Sequence, residues 1–96
     1  MDRMITFVSV HHSIQAEQKI LEQNLRVEAI PTPRQVEVSC GQALLFQSKN
    51  EGDIFRILHE KKIRWSKLFR REMGGQLYEQ IGDYEDRLKN DMENKQ

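Results

Sequence analysis

The stretch MITFVSVHHSIQAEQKILEQN at residues 4–24 decides the predicted fold. Residues 4–10 are apolar and rich in β-branched side chains, which is typical of a buried strand. Ser13 belongs to the residue types that cap helix N-termini, and no Gly or Pro follows it before about Asn24. Apolar side chains recur at helical spacing in this second part. The stretch therefore predicts a strand and then a helix from Ile14 to about Asn24, with Ser13 as its N-cap.

The rest of the chain continues this alternation. Short apolar runs predict three further strands, at residues 27–30, at 43–46 and within 63–71, and a second helix opens at residues 50–53. The order βαββαβ predicts an α+β fold, a ferredoxin-like sandwich with both helices on one face of a four-stranded antiparallel sheet. This predicted domain covers residues 1–73.

A C-terminal tail follows the glycine pair at residues 74 and 75. The tail, residues 74–96, predicts a polar helix from Gln76 to about Glu93 because its apolar residues are spaced three or four apart. Such a narrow stripe suits a helix-on-helix seam, which the chain's own domain, a second copy or a partner protein could supply. Our hypothesis is a homodimer through the tail. The stripe consists of Leu77, Ile81, Tyr84, Leu88 and Met92.

Composition and charge limit the function classes. The chain has 96 residues, 15 basic and 15 acidic, so it carries no net charge that would attract nucleic acid or an anionic membrane. Residues 56–73 alone carry a net charge of +5, which suits either a solvated strand edge or an anionic partner. No apolar run is long enough to span a membrane, no signal-peptide pattern is present, and the single cysteine fits a reducing compartment. We therefore expect a cytoplasmic protein that binds neither nucleic acid nor membrane.

The predicted topology brings several reactive side chains to one end of the sheet. In a split βαβ arrangement the loop between the second and third strands lies at the end where the first strand finishes. Cys40, which ends that loop, is therefore expected near His11, His12 and the N-terminus of the first helix. A helix N-terminus and a cation both stabilise a thiolate, and Arg34 is the one cation of the loop. Gly41 leaves room beside the sulfur for another protein.

Two plainer interpretations of these residues stay open. A lone cysteine is commonly a small buried apolar residue without reactivity. The two histidines may be read as solvated loop residues, or one of them as a group that tunes the thiol. A zinc site is disfavoured because His11, His12 and Cys40 supply at most three ligands. No phosphate-binding glycine loop, serine nucleophile elbow or metalloprotease motif is present, and the third strand lacks the aromatic signature of RNA-recognition domains.

The segment before and after Cys40 resembles the selenium/sulfur carrier protein-like family of small bacterial proteins. The likeness covers roughly residues 4–71 and includes Phe7-x-Ser9 and the pair Ala16-Glu17. The resemblance implies a ferredoxin-like fold and a thiol on Cys40 that carries sulfur or selenium as a persulfide or selenopersulfide. Its motif reads Ile30-Pro31-Thr32-Pro33-Arg34, five further residues, then Cys40-Gly41-x-Ala43-Leu44.

Two functions remain after these considerations. The first is a carrier that receives a sulfur or selenium atom on Cys40 from a donor protein and delivers it to an acceptor protein. Arg34, Gly41, His11, His12 and Ser13 would support the thiolate, and no cofactor or metal is needed. Such a protein is a carrier rather than a true enzyme, with at most a sulfurtransferase-like half-reaction. The alternative is a non-enzymatic interaction module in which Cys40 is structurally inert.

Overall fold

A computed structural model of the chain describes residues 1–34, 36, 41–71 and 78–85. Two helices lie within these residues, α1 (Val10–Glu22) and α2 (Glu51–Glu60), and a single 3-10 turn (Ser48–Asn50) precedes α2. The strands of the described residues are β1 (Arg3–Phe7), β2 (Glu28–Pro31), β3 (Gln42–Phe46), β4 (Trp65–Arg71) and β5 (Tyr78–Asp83).

The strands form one antiparallel sheet in the order β2-β3-β1-β4-β5. Because β1 and β2 each run antiparallel to β3, they are parallel to one another, and α1 is the crossover between them. The second helix, α2, connects β3 to β4. The α+β class predicted from the sequence is confirmed, with a five-stranded sheet and two helices among the described residues.

Both helices pack on the same face of the sheet. Alternation along β1 sends Ile5 and Phe7 to that face, where they join one buried cluster with Ala16 and Ile20 of α1 and with the apolar side of α2. The α2 residues of this cluster are Ile54, Ile57 and Leu58. The helices are therefore held in place by a continuous apolar core.

The opposite face of the sheet is also apolar and buried. Met4, Leu45 and Phe69 form a second cluster there with Ala43. Val36, which belongs to the loop between β2 and β3, packs against this cluster. Val36 therefore lies on the side of the sheet away from the helices.

The first helix begins four residues earlier than predicted. Ser9 is the N-cap, with extended backbone angles, and its Oγ accepts a hydrogen bond from the His12 N–H. Ser13 is instead buried within α1, where its Oγ donates to the Val10 carbonyl oxygen at 2.8 Å. The prediction of Ser13 as the cap is wrong because β1 already ends at Phe7, and Ser13 then falls on the buried face with Ala16 and Ile20.

The helix predicted for the tail is wrong over Tyr78–Asp83, which form the edge strand β5. The exposed edge of β4 offers unpaired backbone groups, and the acidic tail supplies a strand to pair with them. Arg70 of β4 forms an ion pair with Glu79 of β5. The pairing register shifts by one residue at Ile81, so Gly82 lies opposite Leu68.

These findings remove the helical stripe on which the homodimer was predicted. Ile81 lies in a strand, and Tyr84 packs on the chain's own Trp65, with ring centroids 5.9 Å apart and planes nearly perpendicular. Leu77, Leu88 and Met92 lie outside the described residues. The homodimer and the division into residues 1–73 and 74–96 stay predictions.

Candidate functional site

The site predicted from the sequence centres on Cys40, which lies outside the residues that the structure describes. The five supporting positions of the prediction are all described: Gly41, Arg34, His11, His12 and Ser13. The residues that flank Cys40 therefore define the geometry of the candidate site.

The base of the Cys40 loop is closed by the sheet. Pro31 pairs with Gln42 at the ends of β2 and β3, and one step further the Thr32 N–H donates to the Gly41 carbonyl oxygen at 3.2 Å. Within the loop, the Val36 N–H donates to the Pro33 carbonyl oxygen at 3.1 Å and forms a turn. The chain thus leaves the sheet at Thr32 and returns to it at Gly41.

The point of return lies against the start of α1. A Cβ atom added to Gly41 would lie 3.9 Å from Cγ2 of Val10, the first residue of α1. The sequence predicted that Cys40 lies near the N-terminus of α1; Cys40 is outside the described residues, so this stays a prediction, and the position of its neighbour Gly41 is compatible with it. Gly41 itself is exposed.

The N-terminus of α1 has backbone donors at this place. The Ser9 hydroxyl and carbonyl take up the N–H groups of His12 and Ser13. Within the described part of the chain, no acceptor binds the N–H groups of Val10 and His11. A helix N-terminus with free N–H groups carries a partial positive charge and stabilises an anion nearby.

Thr32 adds a further donor at the base of the loop. Its hydroxyl oxygen is buried, and it has no hydrogen-bond partner among the described residues. A buried hydroxyl without a partner is uncommon in native structures because it loses its bonds to water. Sequence reasoning missed Thr32 as a site residue because only the structure shows that its hydroxyl lacks a partner.

The two histidines have different surroundings. The His12 Nδ1 accepts a hydrogen bond from the Arg64 N–H at 3.2 Å, so His12 joins α1 to the residue just before β4. Because Nδ1 accepts in this bond, it carries no proton there. His11 is exposed, and its ring meets that of His12 edge-on at a centroid distance of 6.1 Å.

Arg34 and Ser13 differ in whether their side chains can reach a thiolate in the loop. Arg34 is exposed, in a turn directly after Pro33, and no described carboxylate forms an ion pair with it. Ser13 is fully buried, and its hydroxyl is hydrogen-bonded within α1. Ser9 instead is the N-cap residue at the start of the helix, next to the loop. Ser9 is also an N-cap residue type, but Ser13 is one as well, so residue type alone does not choose between them.

The described residues contain no group of three or more His, Cys, Asp or Glu side chains arranged to hold a metal ion. Neither α1 nor α2 has the length and apolar composition of a membrane-crossing helix, and no other helix in the described ranges has them.

Comparisons with known proteins bear on the same segment. A family model described as "Putative Se/S carrier protein-like" matches residues 2–70, which is more than half of the chain and includes Thr32, Arg34, Cys40 and Gly41. No curated protein and no solved structure matched the chain. The family match confirms the resemblance noted in the sequence, and the chain belongs to the Se/S carrier protein-like family.

Proposed function

We propose that this protein carries a sulfur or selenium atom on Cys40 and passes it between partner proteins. The observation that supports the proposal most is the closeness of Gly41 to Val10, whose Cγ2 would lie 3.9 Å from a Cβ atom added to Gly41. In a chain of the Se/S carrier family, this places the residue after Cys40 near the positive end of α1.

The proposed transfer exchanges one sulfur bond for another. The Cys40 thiolate attacks the terminal sulfur of a donor protein's persulfide, the donor's S–S bond breaks, and the donor cysteine leaves as a thiolate. Cys40 then holds the persulfide until an acceptor thiolate attacks its terminal sulfur and releases the Cys40 thiolate. No net oxidation takes place in either step, so neither needs an external oxidant or a cofactor.

Several groups would stabilise the anion in this scheme. The N–H groups of Val10 and His11, which no described acceptor binds, and the Thr32 hydroxyl are donors at the base of the loop. Arg34 supplies a cation that no described carboxylate neutralises. His11 is the better candidate for a proton shuttle, since the Nδ1 of His12 is occupied by the Arg64 N–H.

The fold suits a small carrier. The strand order β2-β3-β1-β4 with crossover helices α1 and α2 on one face agrees with a ferredoxin-like arrangement, to which β5 adds an edge strand. The exposed Gly41 leaves the main chain next to Cys40 open to another protein. We propose that donor and acceptor proteins in the cytoplasm bind one after the other at the end of the sheet where Gly41 lies.

The rate of Cys40 alkylation as a function of pH tests the reactive thiol. We expect the midpoint of the profile to lie well below the value of about 8.5 that is typical of an unperturbed cysteine. Free cysteine under the same conditions is the control. Slow alkylation with a midpoint above that value would contradict the carrier and favour the interaction module with an inert cysteine.

A further inference from the structure

Exposed apolar side chains of this protein are concentrated on α1. Of the six large hydrophobic residues that are exposed in the described structure, four lie in or directly before this helix. Val10, Ile14 and Leu21 of α1 have 44%, 52% and 50% of their surface exposed. Val8, just before the helix, is the fourth.

The three helical residues form a single stripe. At about 100° per residue, Val10, Ile14 and Leu21 fall within roughly 40° of one another around the helix axis. The buried side of α1, with Ser13, Ala16 and Ile20, faces another direction. We call Val10, Ile14 and Leu21 the α1 stripe, and it takes no part in either apolar cluster of the core.

The α1 stripe begins at the Cys40 loop. Cγ2 of Val10, its first residue, would lie 3.9 Å from a Cβ atom added to Gly41. A protein that reaches Gly41 therefore lies close to Val10 and has the rest of the stripe along α1. The stripe is continuous with the proposed transfer site.

A carboxylate borders the stripe. Glu17 is half-buried and lies about 20° from Val10 around the helix axis, on the side toward the buried Ser13, and no described cation forms an ion pair with it. A charged group beside apolar side chains calls for a cation on whatever covers it, because covering an unpaired charge is costly. The occupant should therefore be apolar with a basic residue opposite Glu17.

The size of the stripe indicates a short-lived complex. Stable interfaces involve roughly 20–30 residues on each side, whereas the stripe and Val8 comprise four exposed apolar residues. Small interfaces are typical of encounters that form and dissociate rapidly. A carrier needs such encounters because it has to leave its donor before it meets its acceptor.

We propose that the α1 stripe is the docking surface for the protein that delivers sulfur to Cys40. That protein presents an apolar groove with a basic residue opposite Glu17, and the groove receives α1 in the manner of a helix-in-groove complex. Docking there aligns the donor's persulfide with the end of the loop at Gly41. The proposal rests on the carrier function of Cys40.

The test compares two sources of sulfur for the full-length protein. One is inorganic polysulfide, which needs no docking; the other is an extract of the source cell supplied with L-cysteine labelled in its sulfur atom. The variants are Ile14→Glu and a control, Gln23→Glu. Each adds one carboxylate to an exposed position, and Gln23, the C-cap of α1, lies about 180° from Ile14 around the helix axis.

We expect Ile14→Glu to lower the initial rate of labelling from the extract by about tenfold, which corresponds to a modest loss of docking affinity. Gln23→Glu should label at nearly the wild-type rate. Both variants should load from polysulfide as the wild type does, because the thiol and its surroundings are unchanged. Equal labelling of the two variants from the extract would overturn the docking proposal.

Other results have distinct meanings. If the wild type acquires no more label than Cys40→Ser from either source, the carrier function fails and the docking proposal fails with it. A photoreactive side chain introduced at position 14 identifies other occupants of the stripe. Crosslinks to a second copy of this chain, or within one chain to residues 86–96, would assign the stripe to that occupant and overturn the proposal.

Discussion

The Thr6 side chain hydrogen-bonds the backbone of β4 at a register shift between β1 and β4. Between the pairs Ile5–Leu68 and Phe7–Trp65, β4 contains one residue more than β1. The fully buried Thr6 hydroxyl fills the gap, since its Oγ1 accepts from the Lys67 N–H at 3.1 Å and donates to the Lys67 carbonyl oxygen at 3.4 Å. A single side chain therefore replaces the backbone bonds that the irregularity removes.

Thr6→Val should lower the free energy of unfolding by about 1–3 kcal/mol, because it leaves buried backbone groups of Lys67 without partners. Urea unfolding measures the loss, and faster hydrogen exchange of the Lys67 amide shows its origin. Thr32→Val is the matched control: the same change removes a hydroxyl that has no described partner, so stability should stay equal or rise. Equal losses in both variants would contradict this account of Thr6.

Arg34 is the cation that we expect to affect the thiol. Arg34→Ala should slow alkylation of Cys40 at neutral pH by up to about fivefold, the range expected for an exposed charge, with little change in stability. Arg26→Ala, which removes an exposed arginine before β2, is the control. An alkylation rate that responds equally to both changes would show that Arg34 acts only through the overall charge.

Individual site residues were predictable to different degrees. Strand direction and the crossover rule predicted Cys40 near the start of α1, and this stays a prediction because only its neighbour Gly41 is described there. The choice between Ser9 and Ser13 was not predictable, because both are capping residues and the apolar Val8 and Val10 extend the apparent strand. The bond from Arg64 to His12 joins residues far apart in sequence, and no local pattern indicates it.

At the scale of elements, the N-cap of α1 can be tested directly. Ser9→Ala should destabilise the protein by about 1 kcal/mol, because the His12 N–H loses its acceptor. Ser9→Asp should retain most of the stability, since Asp caps helices as well as Ser does. Thermal unfolding of both variants measures the effect. A Ser9→Ala variant as stable as the wild type would mean that the cap lies elsewhere.

The turn before α2 is tied to the N-terminus of the chain. Asp2 Oδ1 accepts from the Ser48 N–H at 2.8 Å, and Asp2 Oδ2 lies 3.3 Å from Arg3 Nη1. Partial burial opposes the charge, but the hydrogen bonds from Ser48 and the charge of Arg3 outweigh it and lower the pKa of Asp2 below its ordinary value of 3.8. A lowered pKa stabilises the fold above the ordinary value, and this stability is lost as the pH falls through the lowered one.

Asp2→Asn should therefore cost stability at neutral pH and cost progressively less below about pH 4. The difference at neutral pH should stay under about 1 kcal/mol because the carboxylate is partly exposed. Urea unfolding of wild type and variant across this pH range provides the comparison. A difference that grows on acidification would have the wrong sign for a lowered pKa.

The tail shows how an element can be mispredicted. The apolar residues after Gly75 are three or four positions apart, and the sequence alone favours a helix there. In the structure Tyr78–Asp83 pair with β4, because an open sheet edge supplies backbone partners and basic residues that an isolated helix lacks. Within residues 78–83 the apolar Tyr78 and Ile81 are three residues apart, so no strand-like alternation competes with the helical pattern.

For the whole molecule, the fold class was the most predictable property. Apolar residues predicted the elements correctly in three places: the strand around Ile5, the strand around Leu44 and the inner face of α2. The burial of the second sheet face was not predictable, because it depends on packing of Val36 and Tyr78 from distant segments. The α1 stripe was also missed, since its residues fit the apolar pattern of a core-facing helix.

Transfer of a labelled sulfur atom through the whole protein tests the central claim most directly. The full chain is loaded from polysulfide carrying labelled sulfur, freed of excess reagent, and mixed with a second protein thiol, and mass spectrometry locates the label at each stage. The account predicts one additional sulfur atom on Cys40, none on the Cys40→Ser variant, and movement of the label to the acceptor with recovery of free Cys40. A chain that acquires no sulfur at Cys40, or retains it without transfer, would contradict the account.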